Sequence, residues 1–469
     1  MKSVGSEETI SQAGAQRWAV VCLTISLVSL LMLAALQYWT PRDFRTFWGL
    51  LDWAAARQFQ KSVLGNTISP MNAQAFSLCF KIALAGAWVG YALCVLAGLR
   101  GARFKSRTIL AVGAGVSLIL AVMCPPTLSI DSYGYLAHAR LGAYYGLNPY
   151  FHSHHELYEF RDPVARFLRS DIVSPYGPLW TLLSYGLVLF LKSAGLWWQV
   201  VGVKLIAGAS LLTAGWSGKR IADHFSPGKG NLTLVAIVLN PLFLTEGPWS
   251  GHNDFLAMAL AMLGMALYLR KHEVLPWLCI GCSVAVKLVT APLLLWLAIE
   301  RSRGRSLARR LLTIGLACLI GLTPVVLSYA PFWHGAATLD GIRTLPTRTE
   351  SASSAAIRQK AGEFLQGHGV PEGLADICSF VVAQWTLIAL LLGLTVWLWR
   401  RKSQGGWITA WVVFSGYMAL VTMGTRFPWY LAWPWMASLT RWDRTHSVLS
   451  SAFFLLGFLL SMYYGLRIG

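Results

Sequence analysis

Charged side chains are scarce in this sequence. Only 13% of the 469 residues are charged, whereas 55% are hydrophobic and the mean hydropathy is +0.53. A soluble domain usually carries about 25% charged residues. The composition therefore argues against a soluble protein, and no polar stretch is long enough to fold as a separate soluble domain.

The alternation of apolar and polar residues that membrane strands need is also missing. Instead, apolar runs close to the ~20 residues that a helix needs to cross a bilayer recur along the chain. We expect an all-α polytopic membrane protein with about eleven to thirteen membrane segments. A cytoplasmic tail (residues 1–17) would precede a single membrane domain (residues 18–469). The first run, residues 18–39, is too long for a signal-peptide core, so it is expected to remain as an anchor.

Acidic residues are half as common as basic ones. The sequence has 20 Asp and Glu against 39 Lys and Arg, which gives a formal net charge of +19. Much of this excess lies in short loops between apolar runs, at residues 100–107, 300–310 and 400–402. This distribution is typical of cytoplasmic loops under the positive-inside rule. We therefore expect membrane lipids as partners and no nucleic acid.

Paired cysteine or histidine clusters with metal-ligand spacing are absent. Cys279 and Cys282 have a ligand-like spacing, but they lie in an apolar run without a second pair and are expected to be small buried side chains. The run at residues 152–156 contains three histidines and a glutamate, and it has no matching cluster elsewhere. We expect no cofactor. The sequence leaves open whether a metal ion takes part, because histidine and glutamate are metal-ligand types.

Two long connections are expected outside the membrane, at residues 125–178 and 331–378. In the first, apolar residues of the stretch 157–170 recur at helical spacing with arginines between them, which predicts an amphipathic helix on the membrane surface. The alternative is a helix that packs against the protein's own loops.

The sidedness of the chain after residue 178 is ambiguous. If Asp131 is outside and the basic loop at residues 219–229 is inside, the runs 179–191 and 197–216 cannot both cross the membrane. If both cross, the basic loop is external. We favour a short, re-entrant or surface segment at 179–191, because His252 and Asp254 then lie on the same side as Asp131.

Asp131 follows an apolar run within a few residues of the expected membrane boundary. A carboxylate there is costly unless it is solvated, paired or functional. It is a candidate general base for a hydroxyl acceptor, because partial screening from water raises a carboxylate pKa toward working pH. The alternative is a helix N-cap. The residues expected to bind substrate beside it are Tyr133, Tyr135, His138, Arg140 and Tyr176.

A second polar group ends another apolar run on the same expected side. Glu246, His252, Asn253 and Asp254 are candidates to bind substrate hydroxyls or to assist the base. The alternative is that Asn253 or Asp254 only caps the next helix.

Two cations are candidates to bind a phosphate. Lys287 lies in the middle of an apolar run, residues 274–299, that has basic residues at both ends, which favours two half-length helices with Lys287 near the tip. Arg426 lies in a second outer corner and offers a bidentate fork. Snorkelling of Lys287 and interfacial anchoring by Arg426 are the alternatives.

Several of these motifs are similar to those of one family. They are Asp131-Ser-Tyr-Gly-Tyr135 with Gly146-Leu-Asn-Pro-Tyr150, Ser174-Pro-Tyr-Gly-Pro178, Asn240-Pro-Leu with Gly251-His-Asn-Asp254, and Val286-Lys-Leu with Pro292. In this order they resemble the polyprenol-phosphate-mannose-dependent α-1,6-mannosyltransferases, which belong to the GT-C class of membrane glycosyltransferases. The resemblance covers residues 130–292.

The resemblance implies a GT-C helical bundle and an inverting transfer with Asp131 as base. The donor would be a polyprenyl-phosphate sugar, mannose being favoured, and the acceptor a hydroxyl of a glycan or glycolipid. It also implies a bacterial-type inner membrane with the active site on the extracytoplasmic side. A lipid-linked glycan ligase or polymerase and a secondary transporter are the alternatives. A transporter usually shows paired repeats with broken helices in both halves.

Overall fold

The structure is a computed structural model that describes residues 4–36, 73–126, 129–168, 172–339, 352–401, 404–422 and 427–466. All regular elements in these ranges are helices. Apolar runs favour helices in a membrane because each helix satisfies its own backbone hydrogen bonds. The expected all-α polytopic fold is confirmed.

The described residues form eighteen α-helices, which are numbered here in chain order. The first six are α1 (Val4–Leu36), α2 (Ala73–Leu99), α3 (Ser106–Met123), α4 (Asp131–Tyr145), α5 (Glu156–Glu159) and α6 (Pro178–Phe190). The next six are α7 (Gly195–Phe225), α8 (Gly230–Val238), α9 (Pro241–Leu244), α10 (Asp254–Leu269), α11 (Leu275–Val286) and α12 (Ala291–Arg301). The last six are α13 (Leu307–Tyr329), α14 (Ala352–Gly367), α15 (Glu372–Arg400), α16 (Gly406–Tyr417), α17 (Ala432–Ser438) and α18 (Arg444–Leu466).

Six of the described helices are long and apolar enough to cross a membrane. Two bent helix pairs raise this number to eight, and four shorter apolar helices accompany them. The sequence predicted about eleven to thirteen membrane segments, with long and short segments counted together. The helix α6, with 13 residues, is short as expected. At 1.5 Å per residue it extends only ~20 Å, less than the ~30 Å hydrocarbon core.

The chain bends between α8 and α9, and the turn that follows packs against α3 and α7. Pro241 has no N–H to continue the helix, and the Asn240 side chain accepts hydrogen bonds from the N–H groups of Leu242 and Phe243 at 2.9 and 3.4 Å. The two helix axes differ by 50°. A π-helical turn, Thr245–Trp249, follows directly and carries Glu246.

The predicted break at Lys287 is confirmed. The helix α11 ends at Val286, and Lys287 has an extended backbone with φ −153° and ψ 116°. A 3-10 turn, Leu288–Thr290, leads into α12. The lysine therefore lies between two half-length helices of 12 and 11 residues.

The predicted amphipathic helix at residues 157–170 is wrong over its described part, residues 157–168. Only α5 and one 3-10 turn form there. Arg161 has φ +51°, and Pro163 cannot continue a helix, so the helical spacing of the apolar residues is not realised. Leu157 and Phe167 are buried in a cluster of the protein's own side chains, so the segment packs on the protein, but not as the helix of the alternative.

The second long connection, residues 331–378, is described only in part. Residues 340–351 lie outside the described residues, and α14 follows them and packs against α15. The helix α15 begins at Glu372, a few residues before the apolar run.

Lys204 joins α7 to the end of α3. Its ammonium group is buried and donates hydrogen bonds to the carbonyl oxygens of Leu120 at 3.0 Å and Ala121 at 2.9 Å, and to that of Cys124. The last carbonyls of a helix have no partner within the helix and carry partial negative charge. Lys204 therefore fixes the segment that leads directly to Asp131.

We expect Lys204→Met to lower the free energy of unfolding by about 1–3 kcal/mol, because the buried carbonyls lose their donor. Lys192→Met is the control, since Lys192 lies at the exposed start of the same region. Denaturation of both variants in detergent micelles measures the difference. Equal stabilities would contradict the role given to Lys204.

Candidate functional site

Residues from four parts of the chain meet at one end of the bundle. Asp131 begins α4, His252 lies in the turn before α10, and Asp254 is the first residue of α10. Lys287 lies at the break after α11, and Trp433 lies in α17. Interatomic contacts of 2.7 to 3.3 Å join neighbouring members of this group. The sequence therefore brings its unusual polar residues to a common site.

The imidazole ring of His252 lies between two carboxylates. Its Nδ1 atom is 3.3 Å from Oδ2 of Asp131, and its Nε2 atom is 3.2 Å from Oε2 of Glu246. Neither contact has hydrogen-bond geometry, so the attraction is that of ion pairs. Trp429 stacks on the ring with a centroid distance of 3.8 Å. The side chains of His252 and Glu246 are buried, whereas that of Asp131 is 30% exposed.

These contacts set the charges of the site. Burial lowers the pKa of His252, but the two carboxylates outweigh burial and raise this pKa to about 9. Burial raises the pKa of Asp131, but His252, with a smaller effect of Lys287, outweighs burial and lowers it below its ordinary value. The expected rise of this pKa toward working pH was therefore wrong, because the adjacent cations outweigh the screening from water. At neutral pH, His252 is therefore protonated and Asp131 is ionised. The exposed carboxylate has the protonation state of a general base.

Asp254 holds the second cation of the site. Its Oδ1 atom accepts hydrogen bonds from Nζ of Lys287 and from Nε1 of Trp433, both at 2.7 Å. The Lys287 ammonium also lies 4.9 Å from the ring centre of Tyr430 and 5.3 Å from that of Trp433. This lysine is 23% exposed and points inward, which contradicts the snorkelling alternative.

Phenolic hydroxyls line the same region. The Tyr135 hydroxyl is 3.3 Å from both the side-chain oxygen and the backbone nitrogen of Asn253. Burial first, and then the charge of Asp131, raises the pKa of Tyr176 well above its ordinary value. Burial and the nearby Asp254 do the same for the pKa of Tyr430. These hydroxyls stay neutral and can donate hydrogen bonds to a polar ligand.

The turn that carries His252 depends on a glycine. Gly251 has φ +81°, and a Cβ atom there would lie 2.4 Å from Oγ of Ser132. The same Ser132 hydroxyl donates a hydrogen bond to the carbonyl oxygen of Ser250. The turn therefore packs directly on the first turn of α4, next to Asp131. Asn253 is the N-cap residue of α10, but its side chain does not cap the helix.

Asp131 is the first residue of α4, and the N-cap position belongs to Ile130. The Asp131 side chain makes no cap hydrogen bond, and its N–H donates to the hydroxyl oxygen of Ser129 at 3.1 Å, so the N-cap alternative for Asp131 does not hold. A carboxylate in the first helical turn is still favourable because the helix N-terminus carries partial positive charge.

Other candidates on α4 lie away from the cluster. Arg140 is buried and pairs with Asp162, at 2.9 Å, and with Gln199, at 2.8 Å. It lies nine residues after Asp131, which is ~13 Å along a helix. Tyr133 stacks on Phe167 with a centroid distance of 4.2 Å. Arg140 and Tyr133 thus serve packing in this structure, and a substrate role for them stays a prediction.

His138 packs behind the tyrosines. Its Nε2 atom is 2.8 Å from that of His154, and its ring is 5.7 Å from that of Tyr176. Burial, and then His154, lowers the pKa of His138 well below its ordinary value, so this histidine is neutral. The described residues contain no group of three or more His, Cys, Asp or Glu side chains placed to hold a metal ion.

Arg426 lies outside the described residues, so its phosphate role and the anchoring alternative stay predictions. The aromatic residues that follow it were missed. Trp429 covers His252, Tyr430 lies under Lys287 and Trp433 donates to Asp254. The sequence signal that could have identified them is the aromatic run Phe427-Pro-Trp-Tyr-Leu-Ala-Trp-Pro-Trp435, which directly follows the candidate Arg426.

We expect Gly251→Ala to abolish activity and to destabilise the protein by about 1–3 kcal/mol, because an alanine is strained at this φ and collides with Ser132. Gly186→Ala in α6 is the matched control, since a Cβ atom there meets nothing within 4 Å. Thermal unfolding and a transfer assay check both variants. An active Gly251→Ala protein of normal stability would contradict the tight packing of the turn.

Comparison with known proteins identifies the family. The family model described as alpha-(1->6)-mannopyranosyltransferase, N-terminal domain, matches residues 50–301. The alpha-(1->6)-mannopyranosyltransferase A of Mycobacterium tuberculosis is 26% identical over 369 residues, which cover 74% of this chain and 67% of that protein. The protein of the same name from Corynebacterium glutamicum is 24% identical over 288 residues, which cover 56% of each chain. No solved structure matches significantly. Because the family match covers more than half of the sequence, the chain belongs to the alpha-(1->6)-mannopyranosyltransferase family.

Proposed function

We propose that this protein transfers mannose, with inversion, from a polyprenyl-phosphate donor to a hydroxyl of a glycan or glycolipid. The observation that carries the proposal is the contrast within the site. Asp131 is an ionised, partly exposed carboxylate, while the histidine that holds it and the glutamate beyond are buried. A transfer of this kind needs one accessible base, positioned beside the acceptor hydroxyl.

In the proposed reaction, Asp131 takes the proton of the acceptor hydroxyl. The acceptor oxygen forms a bond to the anomeric carbon of mannose as the bond from that carbon to the phosphate oxygen breaks. The bonding electrons leave with the polyprenyl phosphate, whose charge is stabilised by nearby cations. Attack opposite to the leaving group inverts the anomeric configuration.

Lys287 is the proposed contact for the donor phosphate. An ammonium group has three donors, and Asp254 uses one of them. The next residue, Leu288, is 60% exposed, which offers apolar surface beside the cation for a lipid chain. The described charged groups comprise three carboxylates and two cations, so a further cation would help to hold the phosphate. Arg426 is the candidate for that role.

The active site is proposed to lie on the extracytoplasmic side of a bacterial-type inner membrane, in a bundle of the GT-C class. The helix α3 begins within the basic segment 100–107 and ends near the site, and α10 begins at the site and ends before Arg270. At 1.5 Å per residue these helices span ~24–27 Å, close to the thickness of a hydrocarbon core. The positive-inside rule would then put the site on the opposite side from the basic loops.

A glycan ligase and a transporter make different predictions for the donor. Purified protein with a labelled polyprenyl-phosphate mannose and a mannose oligosaccharide would form a labelled, extended oligosaccharide if the proposal holds. A transporter would leave the donor chemically unchanged, and a ligase would transfer an oligosaccharide in preference to a single mannose.

We expect Asp131→Asn to reduce transfer by at least about 100-fold, because an amide cannot accept the hydroxyl proton. Donor binding and thermal stability should stay near those of the unmodified protein. Asp223→Asn is the control, since Asp223 lies near the C-terminal end of α7, in an exposed pair with Lys219. Turnover of Asp131→Asn within a few-fold of normal would remove Asp131 from the reaction.

We expect Lys287→Met to raise the KM for the donor about tenfold or more, because a charged hydrogen bond to phosphate is lost. Both this change and Trp433→Phe remove one hydrogen bond to Asp254, but only the first removes a cation. Trp433→Phe is therefore the matched control and should leave the donor KM almost unchanged. Similar KM values for the two variants would show that Lys287 serves Asp254 alone.

A further inference from the structure

Glu246 lies where a substrate cannot reach it. Its side chain is 5% exposed and lies on the opposite side of the His252 ring from Asp131. It was expected to bind substrate hydroxyls or to assist the base, and its burial favours the second role. Burying a carboxylate is costly unless a partner compensates for the lost water. Its partner here is a histidine that also contacts the candidate base.

The same glutamate holds His252 through both its main chain and its side chain. The backbone carbonyl oxygen of Glu246 accepts the N–H of His252 at 3.2 Å, and the side chain pairs with Nε2. Trp429 covers the ring face. The imidazole therefore has one orientation, in which its Nδ1 atom faces Asp131. No metal group of three or more ligands is formed by these side chains in the described part of the chain.

We propose that Glu246 is a positioning residue that acts through His252: it keeps the imidazole protonated and oriented, and so keeps Asp131 ionised and aimed at the acceptor. The inference rests on the proposed function, because it presupposes that Asp131 is the base. It assigns Glu246 to the reaction without any contact to substrate.

The charge balance of the reaction explains why a second carboxylate is useful. When Asp131 takes the acceptor proton, it becomes neutral and no longer compensates the buried imidazolium. Glu246 still compensates the charge of the imidazolium. His252 therefore stays protonated, and an uncompensated buried cation never forms.

Without the charge of Glu246, the Asp131–His252 pair would share its proton differently. Burial favours the neutral arrangement, in which the carboxylic acid keeps the proton and the imidazole is neutral. That arrangement blocks the base until the pair loses the proton at higher pH. Asp131 and Glu246 are the charged groups that face the ring, and Lys287 adds a smaller effect on Asp131.

The test compares pH profiles of kcat/KM for Glu246→Gln and the unmodified protein. With polyprenyl-phosphate mannose and a mannose oligosaccharide, the unmodified protein should be nearly flat between about pH 5 and 8. We expect Glu246→Gln to be about tenfold less active at neutral pH and to recover as the pH rises, since one pKa unit changes the ionised fraction up to tenfold.

Glu300→Gln is the matched control. Glu300 is also buried, and it accepts a hydrogen bond from the N–H of Gly405 at 2.9 Å in another part of the bundle. Its profile should keep the shape of the unmodified protein. If Glu246→Gln lowers activity by the same factor at every pH, or not at all, the positioning role is refuted.

Glu246→Asp keeps the charge but shortens the side chain by one methylene. It should show a shift of the same direction and smaller size, and it serves as the test if Glu246→Gln does not fold. An unshifted Glu246→Asp profile then counts against the inference.

Failure of the proposed function would look different from failure of this inference. If the unmodified protein transfers no mannose, or if Asp131→Asn remains active at every pH, the proposed function fails. If Asp131→Asn is inactive while Glu246→Gln keeps a normal profile, only the role of Glu246 fails.

Discussion

The site depends on an imidazolium held between two carboxylates at the end of a membrane bundle. His252 contacts Asp131 on one side and Glu246 on the other, and its side chain is fully buried. Each charge alone would be costly to bury, whereas the three together compensate one another. The arrangement leaves one carboxylate, that of Asp131, both ionised and accessible, which makes the site suitable for accepting a proton.

Two helix interruptions and one glycine bring these groups together. The bend at Asn240 leads into the π-helical turn that carries Glu246, Gly251 allows the following turn to pack on Ser132, and the break at Lys287 places an ammonium beside Asp254. Irregular backbone at membrane depth is tolerated where it lines a protein or water-filled cavity. The irregular segments are thus the places where the bundle departs from simple packing and gathers its polar residues.

Sequence reasoning found the groups that are unusual for their surroundings. Asp131, His252, Asp254 and Lys287 are polar residues at the ends or in the middle of apolar runs, and the cost of such positions makes them conspicuous. The break at Lys287 was predictable because basic residues at both ends of one run conflict with a single crossing. These inferences need only the local sequence and the properties of a bilayer.

The same reasoning failed where distance in space differs from distance in sequence. Arg140 is close to Asp131 in the chain, but a helix carries it ~13 Å away to Asp162. Trp429 and Trp433 were missed because tryptophans in membrane proteins are usually interfacial anchors, and their contacts depend on tertiary packing. The helix expected at residues 157–170 was lost because Arg161 and Pro163 interrupt a periodic pattern.

The most direct test of the account is a structure of the protein with a polyprenyl phosphate and a mannose oligosaccharide bound. We expect an acceptor hydroxyl within ~3 Å of the Asp131 carboxylate and the lipid phosphate near Lys287. An acceptor bound more than ~10 Å from Asp131, with that carboxylate still in contact with His252, would contradict the role of Asp131 as the base.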